Sequence, residues 1–160
     1  MKKIILAAVT AIAMSTSANA ANIVQTAAST GKFETLIAAA KAAGLAGALG
    51  HRHDITVFAP TDAAFAKLPK GTVENLLKPE NKHQLAAILK YHVVPARVPS
   101  SAAKVKSAQI GTLKKGGDTT IRVRKRFGKV RVDNATVIAA DINASNGIIH
   151  VIDKVLLPTK

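Results

Sequence analysis

The sequence predicts an α+β domain, helix-rich in its first half and strand-rich in its second. Two observations carry this expectation. Before Pro95, apolar residues recur at helical spacing between short glycine and proline breaks. After it, β-branched runs of a few residues are separated by Gly, Asp or Asn. No internal repeat and no low-complexity linker interrupts this order, so helices and strands belong to one unit.

The helical half begins with Phe33, Leu36, Ile37 and Ala40, at i, i+3, i+4 and i+7, and Gly44 stands where such a helix stops. Leu45 to Leu49 add a short turn closed by Gly50. The segment Asp54 to Pro60, with Ile55, Val57 and Phe58, reads as a buried strand ended by proline. Thr61 then caps a helix starting at Asp62, whose charge suits a helix N-terminus. Another short helix follows Gly71-Thr72. Asn81, with Gln84 three residues on, has the pattern of a capping box and opens the best-defined helix. Its apolar face is Leu85, Ile88, Leu89 and His92, and Val93-Val94-Pro95 ends it. Strands are expected near Gln109–Leu113, Thr119–Arg124, Lys129–Val132, Ala135–Ala140 and Ile148–Leu157. Asn146-Gly147 suits a tight turn feeding the last pair.

The first twenty residues stand apart. Lys2 and Lys3 precede an apolar run, Ile4 to Met14, and a polar stretch ends in Ala18-Asn19-Ala20, a small-x-small cleavage pattern. The run is shorter than the ~20 residues a bilayer span needs. The expectation is a bacterial export signal cleaved after Ala20, leaving residues 21–160 as a single secreted or periplasmic domain. No later segment is long and apolar enough to be a transmembrane segment. Cysteine is absent, which excludes disulfides, thiolate metal sites, a cysteine nucleophile and a lipoprotein anchor. The net charge is +14, of which the leader lysines supply two. Such a charge serves solubility and steers the chain toward anionic surfaces. For an exported protein these are acidic polysaccharide, lipopolysaccharide or lipid headgroups, and not nucleic acid.

Three segments resemble the signatures of the fasciclin (FAS1, beta-Ig-H3) family. They are Thr56-Val57-Phe58-Ala59-Pro60-Thr61-Asp62-Ala63-Ala64-Phe65, Tyr91-His92-Val93-Val94-Pro95, and Asn146-Gly147-Ile148-Ile149-His150-Val151-Ile152-Asp153-Lys154-Val155-Leu156-Leu157-Pro158. Their order and spacing are those of the family, and together they span the chain after the leader. The resemblance implies a β-sandwich or wedge with helices packed against it. It also implies a binding function in cell adhesion or at the extracellular surface, toward a cell-surface or matrix protein or an acidic polysaccharide. In animal matrix members, adhesion is assigned to the Tyr-His segment and to an Asp-Ile pair, here Tyr91-His92 and Asp141-Ile142. Some fasciclin-type proteins carry carotenoids, so the resemblance also permits a soluble carrier of a hydrophobic small ligand such as a carotenoid or lipid.

On the residues alone, His92 lies on an apolar helix face and reads as a buried, hydrogen-bonded histidine, and Asp141 reads as a turn residue ending a strand. The segment particular to this chain runs from Lys114 to Arg131, with eight cations against the single acid Asp118. Arg122 and Arg124 alternate with Ile121 and Val123, which in a strand puts the arginines on one outer face. Arg122, Arg124, Lys125, Arg126, Lys129 and Arg131 therefore form a candidate cationic ribbon, and guanidinium forks suit phosphate, sulfate or carboxylate. The alanine-rich helices (Ala38-Ala39-Ala40, Ala42-Ala43, Ala86-Ala87) leave room for an apolar groove or pack closely. No nucleophile elbow, zinc-protease motif or phosphate-binding glycine loop is present. His51-Arg52-His53 reads as a plain loop. No enzyme, cofactor or metal site is implied.

Overall fold

The computed structural model describes residues 21–102, 108–117 and 119–157. The leader, its cleavage after Ala20 and the acid Asp118 lie outside the described residues.

The helices form where the apolar spacing places them, with one addition, one displaced cap and one extension: the turn expected to close at Gly50 is a helix that runs through Gly50 to His51. The addition is α1 (Ile23–Thr30). Asn22 caps it, accepting from the Gln25 amide at 2.9 Å while the Gln25 side chain accepts from the Asn22 amide at 3.0 Å. The capping box therefore stands at Asn22/Gln25 and not at Asn81/Gln84. A 3-10 turn, Pro79–Asn81, leads directly into the next long helix, so Asn81 lacks the extended backbone a cap needs. Its side chain donates backwards to the Asn75 carbonyl at 2.6 Å.

Helix α2 (Glu34–Ala42) begins after Phe33, which cannot cap it. Asp62 does so from a distance: its Oδ1 accepts from the Thr35 amide at 2.8 Å. Thr61, beside it, caps its own helix through the Ala64 amide at 3.2 Å. Adjacent residues thus terminate two helices. Gly44 ends the α2 segment at φ +73°, in the left-handed region that glycine adopts without strain. The remaining helices are α3 (Ala46–His51), α4 (Asp62–Ala66), α5 (Thr72–Leu76) and α6 (Lys82–Tyr91).

Among the described residues there are seven strands: β1 (Ile55–Pro60), β2 (Val93–Val94), β3 (Ala108–Gly111), β4 (Thr120–Arg126), β5 (Lys129–Val132), β6 (Ala135–Ala144) and β7 (Gly147–Ile152). They lie in the order β2-β1-β7-β6-β5-β4-β3, and only β1 and β7 run parallel. The sheet curls until its edges meet, where the Leu113 amide donates to the Val93 carbonyl at 2.8 Å. The result is a near-barrel with helices against it, the α+β fold class expected.

β3 and β4 differ from the expectation by one or two residues at each end, and two strand limits differ by more. β7 stops at Ile152, and Val155 and Leu156 instead turn into the core. β6 runs on to Ala144, with register shifts on either side of Ala139. The last hairpin turns at Ser145-Asn146, because Ala144 already pairs with Gly147.

Gly147 has a different duty. A Cβ there would sit 2.0 Å from the Ile55 carbonyl oxygen and 2.7 Å from Ile23 Cδ1. Next to it, the buried Asn146 side chain accepts from the Ile23 amide at 2.9 Å and donates to the Leu49 and Arg52 carbonyls, both at 2.7 Å. These contacts pin α1 and α3 to the end of the β1–β7 pair. Ile23, Ala27 and Phe33 then pack on one side of that pair, while Phe58, Tyr91, Ile121, Val132 and Leu156 fill the other.

Gly147→Ala is expected to destabilise the fold by at least about 3 kcal/mol, since backbone and not a pliable side chain must move. Gly47→Ala, in an open position on α3, is expected to stabilise by about 0.5–1 kcal/mol. Urea denaturation midpoints of the two variants check both.

Candidate functional site

His92 ends α6 and is 2% exposed. Its Nδ1 donates to the Ile88 carbonyl at 2.8 Å and its Nε2 accepts from the Leu156 amide at 2.9 Å. Both ring nitrogens are satisfied only in the neutral form, and burial holds the pKa down at about 4. The ring ties the helix end to the closing segment of the chain. It presents no surface to a partner.

Tyr91 is 5% exposed, with its ring among Phe58, Ile121 and Leu156. Its hydroxyl lies 2.9 Å from Asp133 Oδ2 and 3.1 Å from the Thr120 carbonyl. The Tyr91-His92 pair is therefore interior, apart from the point where Tyr91 lines the concavity described below.

Asp141 does not end a strand. It sits within β6 at φ +58°, beside the register shift, and its carboxylate accepts from the Ser100 amide at 2.7 Å and from the Ser100 hydroxyl. The Ser100 hydroxyl and amide hold this carboxyl below the usual carboxylate range. Behind it, His150 Nδ1 accepts from the Asp141 amide at 3.2 Å and Nε2 donates to the Val98 carbonyl at 2.7 Å. Ile142 is half-buried and packs inward. Of this pair, only Asp141 faces solvent, and its oxygens already serve the Pro99-to-Ala102 segment.

The cationic segment behaves as its alternation dictates. Ile121 and Val123 are buried, while Arg122, Arg124 and Arg126 are exposed on the opposite face of β4. Across the hairpin Arg131 pairs with Arg124 and Lys129 with Arg126, so five cations share one face. Lys125 leaves that face: it lies opposite Val130 and points with Ile121 and Val123 beyond the end of the core. Lys114 is also outside it, buried and donating to the Gly116 carbonyl. Among the described residues, none of the five cations is held in an ion pair; the pair present is Arg97–Asp54, at 3.6 Å.

At the base of the ribbon lies an open concavity of about 480 Å³, lined by Tyr91, Gln109, Thr120, Arg122, Arg124, Asp133, Asn134 and Leu157. Its one acid is spent on the scaffold. Asp133 Oδ1 accepts from the Arg122 amide at 2.8 Å, and Oδ2 takes the Tyr91 contact. What remains to face a ligand is two guanidiniums and the amides of Gln109 and Asn134. Sequence reasoning missed Gln109 and Asn134; strand register, which puts Gln109 opposite Arg122, was the missing information.

A second depression, about 530 Å³, opens between α3 and α6. Leu45, Ala48, Leu49, Ala86, Ala87, Leu89, Val93 and Leu113 line it, and Arg52, His83, Lys90 and Lys115 also border it. Of the alanines expected to leave space, Ala86 and Ala87 do so, whereas Ala39, Ala40 and Ala43 are packed in the core. Among the described residues, no three His, Asp or Glu side chains converge as metal ligands.

Fold and surface together define an α+β domain whose polar signature residues brace the scaffold. The chain belongs to the fasciclin domain family, whose pattern matches residues 31–158. It is 54% identical over 140 residues to Protein sll1483 of Synechocystis sp., covering 88% of this chain and 75% of that one. It is 39% identical over 131 residues to the transforming growth factor-beta-induced protein ig-h3 of Sus scrofa, covering 79% of this chain but only 18% of that one. The fold is shared with a FAS1 domain pair from the insect cell adhesion molecule fasciclin I, at a TM-score of 0.50 and 23% identity, over 78% of this chain and 43% of that one. Fasciclin domains as a family are implicated in adhesion, and no helix among the described residues is long and apolar enough to cross a membrane.

His92 makes the fold sensitive to acid. The unfolded chain takes up this proton below about 6.5, the folded chain only near 4. The stabilisation is complete above 6.5 and is lost as pH falls toward 4, by about 3 kcal/mol. Denaturation midpoints between pH 7 and 4 should show this slope in the parent and lose it in His92→Gln; equal slopes would exclude His92 as the source.

Proposed function

We propose that this protein is an exported adhesion-type binding module that docks on an acidic polysaccharide at a cell surface through the arginine face of the β4–β5 hairpin. The observation that carries the reading is the facing of like charges. Arg124 stands directly opposite Arg131, and Arg126 opposite Lys129. Like charges directly across a ladder destabilise it, each by up to about 1 kcal/mol, so the arrangement works against the fold and in favour of a polyanion. Guanidinium forks at strand spacing suit carboxylates or sulfates repeated along a polymer. The concavity beside Arg122 and Arg124 offers amide groups for sugar hydroxyls. The implication of the fasciclin family in adhesion agrees with this class of role without naming this chain's partner.

The apolar groove between α3 and α6 favours a second reading, a carrier of a hydrophobic small molecule. Cations along its border suit an amphiphile with an anionic head, such as a fatty acid or lipid, better than an uncharged carotenoid. Mass spectrometry of an organic extract, with the visible absorption of protein purified from its source, decides this reading. A stoichiometric lipid or pigment supports it and an empty extract removes it.

For the leading reading, Arg122→Glu/Arg124→Glu is expected to weaken binding to immobilised polyuronate or heparin at low salt by tenfold or more. The parent's own binding should fall steeply as salt is raised. Unchanged retention of the double variant would end the proposal.

A further inference from the structure

The tip of the cationic hairpin carries a residue that neither the core nor the arginine face includes. Phe127 is 94% exposed, the most exposed large apolar side chain among the described residues. It occupies the first position of a two-residue turn, Phe127-Gly128, at φ +50° with Gly128 at +75°. Such turns favour Asn-Gly, and a bulky side chain in the left-handed region is strained. The aromatic ring is thus held in water, at a conformational cost, where asparagine would serve the turn better. Its one described ring contact is the Arg126 guanidinium, 5.7 Å from the centroid.

The surroundings are consistent in chemistry. From Thr120 to Val132 there is no acidic residue. Lys125, Arg126 and Lys129 flank the turn, on both faces of the hairpin and exposed. Beside the turn, the β5–β6 pairing extends no further than Arg131 and Thr136, and a shallow cleft is left there, bordered by Lys125, Gly128, Lys129 and Ile138. Ile138 is itself 58% exposed. Two of the exposed large apolar side chains therefore sit at the same end of the sheet, inside a collar of cations.

We propose that this hairpin is a membrane-surface anchor, with Phe127 entering the headgroup–acyl boundary of a bilayer rich in anionic phospholipid while Lys125, Arg126 and Lys129 bind headgroup phosphates. The proposal rests on the anionic-partner reading for its charge and goes beyond it by adding a second partner, a lipid surface engaged at the hairpin tip. An apolar wedge ringed by cations matches that boundary, where the ring leaves water and the long basic side chains reach the phosphates. The arginine face that suits a glycan lies along the ladder, whereas the phenyl ring stands apart from it at the tip. One ring and a few cations give reversible attachment, since a single apolar element alone anchors weakly.

The test uses the chain beginning at Ala21, which contains every described element of the fold and lacks the apolar leader. Binding is measured by co-sedimentation with vesicles of equal phosphatidylglycerol and phosphatidylcholine, with phosphatidylcholine alone as control. Phe127→Asn, which supplies the turn's preferred Asn-Gly and so favours folding, is expected to lose about tenfold in vesicle affinity with its binding to polyuronate unchanged. Phe127→Trp introduces the protein's sole tryptophan, and its emission should shift to the blue with anionic vesicles and not with the control. Vesicle binding undiminished in Phe127→Asn, or no blue shift, overturns the anchor and leaves the arginine-face reading standing. Parent protein that binds polyuronate but no vesicles also overturns it and makes the partner a glycan. Binding to neither overturns both proposals.

Discussion

The two halves of the chain are joined at one place where backbone touches backbone without room for a methyl group. Gly147 lies against Ile55 at the start of the parallel β1–β7 pair, and the Asn146 amide beside it reaches three carbonyl or amide groups of the helical half. Parallel strands cannot be joined by a tight turn. Everything between Pro60 and Gly147, three helices and five strands, is therefore the crossover that the pairing requires. Each of the three Asn146 bonds contributes about 1 kcal/mol net, and leaving its partners unmade in the interior would cost more. The fold depends on this corner because, among the described residues, α1 and α3 show no other polar tie of comparable burial to the sheet.

The other polar signature residues extend the same logic. Thr61 and Asp62 end two helices with adjacent side chains, and Asp62 supplies the cap that Phe33 cannot. His92 clamps the end of α6 to the closing segment, and Asp133 completes the Tyr91 hydroxyl while accepting from the β4 backbone. Motifs that stand out in the sequence as candidate contact residues are thus occupied in holding elements together. The surfaces left for partners are made mainly of residues outside the motifs, with Tyr91, Val93 and Leu157 contributing at their borders.

Most of the helical half was legible because apolar spacing and capping chemistry are local. Thr61, Gly44 and the Phe33-to-Ala40 stripe act as their patterns dictate. The displaced capping box shows the limit: Asn22/Gln25 and Asn81/Gln84 carry the same pattern, and what separates them is the 3-10 turn imposed by Pro79, a matter of backbone and not of composition. The cationic face was legible from alternation alone, except for Lys125, whose parity assigns it to the other side. Gln109, Asn134 and the groove between α3 and α6 were not, because register and the approach of distant helices are set by tertiary packing. Gly147 was seen as a turn glycine when its role is close approach, a distinction that needs the position of Ile55.

The meeting of the sheet's two edges, through the Leu113 amide and the Val93 carbonyl, has a consequence for how such a domain acquires partners. An open edge invites any extended chain to add as a further strand, a mode that reads backbone and is nearly blind to side chains. Closing the curl removes much of that route. Recognition then falls to side chains on hairpins and helix surfaces, which can be exchanged without disturbing the ladder beneath them. A lineage can therefore redirect the domain from one surface to another by rewriting a few hairpin positions, with the braced corner at Asn146 carried along unchanged.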